Sequence, residues 1–199
     1  MLAAHVILSM YGFWLPNDPR GSWSEFVAAW ELFRYGKATK VSTRESVAHV
    51  RHDQMMRREA KRAMKYPPVL LNGKQARAIG RGFAVAVRES GYGVHACSIL
   101  QDHVHLVIAP AARSIEQIVR HLRGKASMQL RREAIHPLEQ YVRSGGSVPS
   151  IWSEGLWKVF CFDEEHVGCA IRYVEKNPIR EGKPAQSWSC VSPFHSSIE

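Results

Sequence analysis

The stretch Gln101-Asp102-His103-Val104-His105-Leu106-Val107-Ile108 sets two histidines on either side of one apolar residue inside a hydrophobic run. A β-strand sends alternate side chains to opposite faces, so His103 and His105 emerge together, roughly 6.5 Å apart along the strand. Two imidazoles at that spacing can share one metal ion, or they can be a structural pair. Val104, Leu106 and Ile108 point the other way and require a covering layer. A second group stands near the C-terminus, in Ile171-Arg172-Tyr173-Val174-Glu175-Lys176-Asn177-Pro178. On a helix Tyr173 and Asn177 lie at i and i+4 and share a face distinct from the apolar stripe. They read either as a nucleophilic hydroxyl beside a carboxamide ligand or as a surface tyrosine followed by an Asn-Pro turn.

The elements that must hold these groups follow from periodicity and punctuation. Residues 3 to 10 read as a first strand, and Tyr11 to Trp23 as an irregular loop rich in turn residues and aromatics. A basic helix is expected over 44 to 66, stopped by Pro67-Pro68, and a second from Asn72 to about Ser90, with Gln75 completing a capping box. Ile79, Phe83, Ala86 and Val87 form its apolar stripe. A strand from Val94 to Leu100 then pairs with the histidine strand across Gln101-Asp102, a poor pair for a primed turn. His95 and Cys97 at alternate positions would share a face of that strand, which makes a zinc site with the histidine pair conceivable.

Ser114 and Gln117 form a second capping box, opening a helix with Ile115, Ile118, Val119 and Leu122 on its apolar face. Trp152 to Phe162 reads as a fourth strand, with Leu156, Val159 and Cys161 as candidate inward positions. Asp163 caps a last helix whose stripe is Val167, Ala170, Ile171 and Val174, and Pro178 is expected to close it. Strand, helix, two-stranded hairpin, helix and strand, followed by a further helix, is an α+β order. It is that of a ferredoxin-like antiparallel sheet with packed helices and an appended C-terminal helix carrying the tyrosine.

At 199 residues and 45% hydrophobic composition, the expectation is one domain, residues 1 to 199, with a basic helical insertion around 44 to 66. The four cysteines show no metal-binding spacing and read as reduced thiols of a cytoplasmic protein. Met1 to Met10 lacks the basic leader and cleavage site of a signal peptide, and no apolar run is long enough to span a bilayer. The formal net charge is +9. Residues 44 to 91 carry eleven Lys/Arg against four Asp/Glu, and residues 113 to 143 seven against three. Two such segments indicate a polyanionic partner, most often nucleic acid, over solvated helix faces.

Four segments in order resemble the single-tyrosine HUH transposases, the IS200-like family, and within it the branch of REP-associated tyrosine transposases. They are Tyr-Gly-Phe-Trp-Leu-Pro-Asn-Asp-Pro-Arg-Gly at 11 to 21, Asp-His-Val-His-Leu-Val at 102 to 107, Leu-Arg-Gly-Lys at 122 to 125, and Tyr-Val-Glu-Lys-Asn-Pro-Ile-Arg-Glu-Gly at 173 to 182. The resemblance implies a nuclease core in which His103, His105 and Asn177 hold a divalent metal, Mg²⁺ or Mn²⁺, and Tyr173 is the nucleophile. It further implies cleavage and rejoining of single-stranded DNA beside a hairpin through a 5′-phosphotyrosine link, by a monomer or a homodimer with no membrane partner. Arg20, Arg120, Arg123 and Lys125 are the candidate DNA contacts, since phosphate binding needs charge more than fixed geometry. The alternative is a catalytically inactive nucleic-acid-binding module on the same fold. A third reading is a two-histidine phosphoesterase, a class that would need a second His-x-Ser/Thr motif beside the pair at 103 and 105.

Overall fold

A computed structural model describes residues 1–13, 15, 30–36 and 53–195. The strands are β1 (Ala3–Ser9), β2 (Val94–Ile99), β3 (His103–Ile108) and β4 (Trp157–Cys161). The helices are α1 (Gln54–Ala63), α2 (Gly73–Ser90), α3 (Ile115–Arg132) and α4 (Glu164–Arg180), and a short 3-10 helix spans Trp30–Tyr35. The strands form one antiparallel sheet in the order β2-β3-β1-β4, the ferredoxin-like arrangement. Of the expected basic helix, α1 is the described part, capped by Asp53, and residues 44–52 lie outside the described residues.

Alternation divides the sheet into two chemically different faces. Ala4, Val6, Leu8, Val104, Leu106 and Ile108 turn toward α2 and α3 and form the larger core with Ile79, Phe83, Ile118 and Leu122. Both helices start at capping boxes, Asn72 with Gln75 and Ser114 with Gln117. They approach so closely that a Cβ on Gly82 would stand 2.5 Å from the Ala126 Cα. The opposite face carries a smaller core of Ala3, Ala96, Val107 and Cys161, on which α4 lays Val167, Ala170 and Val174. That short run of side chains fixes α4 over the sheet and brings Tyr173, beside Val174, against the His5 and His105 rings.

Several local expectations are corrected. Pro178 does not close α4, which continues to Arg180. A proline removes only the bond to the carbonyl four residues back, and the stop comes at Gly182, whose φ of +68° suits glycine. There the Lys183 N–H donates to Pro178 O and the Gly182 N–H to Ile179 O, a Schellman closure. β4 is shorter than Trp152 to Phe162, because Trp152 makes an isolated bridge to Met10 and its indole packs on Phe83. A register irregularity between Val94 and Ala96 separates His95 from Cys97. Cys97 turns into the larger core while the His95 ring packs on Phe194 at the smaller one, so the two cannot join the histidine pair around zinc.

The Gln101-Asp102 connection is not a primed turn, since neither residue has positive φ. Its carbonyls are held from outside, Gln101 O by the Leu71 N–H at 2.7 Å and Asp102 O by the Met10 N–H at 2.8 Å. At the far edge of the sheet the segment after α4 runs along β2. The Gln186 carboxamide bonds both the N–H and the carbonyl of Ile99, which satisfies part of an otherwise open strand edge.

Candidate active site

The face of the sheet beneath α4 becomes polar at one end. Ser9 lies opposite His103 and Ile7 opposite His105 across β1 and β3, while Ser98 lies opposite His105 across β2 and β3. The two imidazoles meet edge to face with ring centroids 4.8 Å apart. Each has its Nδ1 engaged: His103 Nδ1 stands 2.7 Å from Asp102 Oδ1, and His105 Nδ1 stands 3.1 Å from Nε2 of His5. Among the described residues neither Nε2 takes part in a hydrogen bond. An orienting partner on one nitrogen with the other left bare is the usual state of a metal-binding histidine. His105 is 2% exposed, and its burial, reinforced by His103 and His5, pushes its pKa well below the ordinary 6.5. It is therefore neutral at physiological pH, as a ligand must be.

Tyr173 comes down on this pair from α4. Its ring lies edge-on to His105 at 5.6 Å and to His5 at 5.6 Å, and the Arg180 guanidinium sits 5.3 Å from the ring centroid. The residue is nonetheless 42% exposed, and its hydroxyl makes no hydrogen bond among the described residues. A tyrosine held by its ring, with its hydroxyl uncommitted among the described residues, has the chemistry a nucleophile requires. Asn177, one turn further, is 8% exposed, buried with its neighbour Pro178. The Tyr173 and Asn177 face thus turns toward the sheet, at the margin of the buried stripe.

Among the described residues no three His, Cys, Asp or Glu side chains converge as a metal cage. If the pair held a metal, a third protein donor would have to come from another residue type, and the Asn177 carboxamide is of that kind. It makes no hydrogen bond among the described residues, so its oxygen is uncommitted. Two imidazoles with a carboxamide would suit a divalent ion of the Mn²⁺ or Mg²⁺ class that keeps positions open for further oxygen ligands, with imidazole favouring Mn²⁺.

The family model for IS200-like transposases matches residues 62–177, more than half of the 199. The chain belongs to the IS200-like transposase family. The matched span contains His103, His105 and Tyr173 and ends on Asn177, and membership gives this transposase a DNA-processing role. Among solved structures, a REP-associated tyrosine transposase bound to a REP hairpin is 9% identical, covering 91% of this chain and 68% of its own, with a TM-score of 0.46. A transposase candidate from Deinococcus radiodurans R1 is 13% identical and covers 92% of both chains at a TM-score of 0.42. No curated protein sequence matches the chain.

The other expected site residues are placed unevenly in this transposase. Arg20 lies outside the described residues. Arg120, Arg123 and Lys125 ride on α3, which covers the sheet face opposite the histidine pair. Arg120 is exposed. Arg123 donates to Gly155 O at 2.7 Å and lies against the Trp152 ring, and burial lowers its pKa from 12.5 to about 10. Lys125 is ion-paired with Glu89 at 2.6 Å. Of the loop aromatics, Phe13 packs on His103 and Tyr11 on Tyr66, while Trp14 and Trp23 lie outside the described residues.

His5 is the residue that sequence reasoning did not reach. It is 8% exposed, lies in the first strand, and touches His105, Tyr173 and Trp157 at once. A lone histidine in an apolar strand carries no local signal, and only the pairing of β1 with β3 brings it to the site.

Proposed function

We propose that this transposase cleaves and rejoins single-stranded DNA through a covalent 5′-phosphotyrosine link on Tyr173, beside a divalent metal held by His103, His105 and Asn177. The observation that carries the reading is the Tyr173 side chain itself. Its ring is packed on His105 while the residue is 42% exposed and its hydroxyl makes no hydrogen bond among the described residues.

His103, His105 and Asn177 would hold a Mg²⁺ or Mn²⁺ ion, which would supply polarisation of the scissile phosphate. The remaining work falls to the chain's own groups. Tyr173 Oη attacks phosphorus, an O–P bond forms to the phenolic oxygen, and the bond from phosphorus to the 3′-oxygen breaks. The phenolic proton is released to solvent and the departing 3′-oxygen leaves as a hydroxyl. Because one phosphodiester replaces another, a different 3′-hydroxyl can reverse the step and join strands without a nucleotide cofactor. His105 and His5 hold the tyrosine ring from below, so the hydroxyl meets the phosphate with little further ordering of the side chain. The substrate class is single-stranded DNA presented beside a hairpin, in keeping with the +9 net charge.

The test is covalent capture. Labelled single-stranded DNA, including hairpin-flanked strands, is incubated with the protein and Mn²⁺ and resolved on a denaturing protein gel. A labelled protein band is expected, absent with chelator and absent in Tyr173→Phe. Loss of a hydroxyl that makes no hydrogen bond among the described residues should move stability by only about 0.5 kcal/mol, so a folded but adduct-free variant is the expected control. Tight DNA binding with no adduct on any strand would instead make the chain a binding module.

A further inference from the structure

We propose that His5 is a positioning residue, whose Nε2 accepts the Nδ1 proton of His105 and thereby leaves His105 Nε2 bare on the side of the site where a metal would bind. The inference rests on the proposed metal site and adds a residue to it that lies outside the matched span of the family.

His5 and His105 sit on the same face of neighbouring strands, with His5 opposite Val107 and Ile7 opposite His105, so the two imidazoles are diagonal neighbours. Their rings stack at 5.3 Å with planes 22° apart, and the facing nitrogens are 3.1 Å from each other. His5 cannot swing away freely, because Trp157 meets its ring edge-on at 5.2 Å and Tyr173 at 5.6 Å. A bond between two neutral imidazoles contains one proton, which belongs to one ring or the other. If His5 donates, His105 must carry its own proton on Nε2 and cannot ligate through it. If His105 donates, its Nε2 is a free lone pair.

His103 shows which arrangement the site uses. Its Nδ1 faces the Asp102 carboxylate, which can only accept, so Nδ1 is the donor and Nε2 is the nitrogen left without a partner among the described residues. With His105 in the same tautomer, both rings offer the same nitrogen, one fixed by a carboxylate and the other by a buried imidazole. The first support comes from the residue next in sequence to His103, the second from a strand one hundred positions away.

Nitrogen-15 NMR of the histidine-labelled, metal-free protein reads the tautomers directly. Nδ1–H is expected for both His103 and His105. Calorimetric titration with Mn²⁺ alone then compares wild type with His5→Phe, which keeps a stacked ring without an acceptor, and His5→Gln, which restores an acceptor. The expected result for His5→Phe is a mixture of His105 tautomers and a Mn²⁺ affinity about 10–100-fold weaker. The His5→Gln variant should recover part of both, and a packing role alone would favour the phenylalanine instead. Nε2–H on His105 in the wild type, or an unchanged tautomer and affinity in a folded His5→Phe, overturns the proposal while leaving the metal site standing. Absence of Mn²⁺ binding in the wild type overturns the metal site and with it the role given to His5.

Discussion

At the scale of single residues, what could be read from the sequence was the chemistry that is periodic. His103 and His105 share a face because strands alternate, and Tyr173 and Asn177 share one because helices return after four residues. His5 follows no such rule, and Asp102 was visible only as a poor turn residue, not as the partner of His103. Burial also acts on imidazoles away from the site. His136 is 7% exposed after α3, and its Nδ1 accepts the Leu138 N–H at 3.3 Å. Burial lowers its pKa from the ordinary 6.5, so the unfolded chain takes up the proton first. Its contribution to stability is complete above about pH 6.5 and is lost as pH falls through that value toward the lower folded one. His136→Asn keeps a short acceptor for the N–H but cannot titrate there. The variant should lose less stability than wild type between pH 7 and pH 5 in denaturant titrations, and equal losses in the two proteins would show that His136 is not held neutral.

At the scale of elements, the capping boxes at Asn72 and Ser114 and the cap at Asp163 placed three helix starts correctly, because a cap is a local bargain between side chain and backbone. Ends were harder. Pro178 looked like a stop, yet a helix tolerates a single missing bond when both sides of it are packed, and the true stop is the glycine four residues later. β4 was overextended because Trp152 continues the apolar pattern but serves the α2 and α3 core. Gly82 in α2 illustrates what spacing alone cannot reveal. Nothing local demands glycine inside a helix, where it costs about 1 kcal/mol relative to alanine. The backbone of Ala126 leaves no space for a side chain. Gly82→Ala is therefore expected to destabilise by about 1–3 kcal/mol despite the gain in helix propensity, through forced separation of α2 from α3. Thermal unfolding decides it, and a raised midpoint would mean that the two helices adjust freely.

At the scale of the whole molecule, the sequence placed positive charge correctly along the chain but could not say which side of the sheet each helix would cover. The α3 residues lie on one face and the Tyr173 site on the other, with four strands between. A DNA strand touching both must pass round an edge. The β2 edge is partly closed by Gln186, whereas among the described residues no strand pairs with the outer side of β4. Lys158, ion-paired with Glu116 of α3, and the exposed Phe160 and Phe162 mark that second route. Of the three candidate DNA contacts on α3, Arg123 and Lys125 are committed to Gly155 and Glu89, whereas Arg120 is exposed and makes no ion pair among the described residues. Arg120→Glu should weaken binding of long single strands and flatten the dependence of log K on log salt by roughly 0.7, the loss of about one phosphate contact. Short strands confined to the α4 face should still form the Tyr173 adduct at the wild-type rate, since nothing at that face has changed. If the substitution slows adduct formation equally on short and long strands, DNA does not run from α3 to the tyrosine round the β4 edge, and the basic face of α3 serves something other than the cleaved strand.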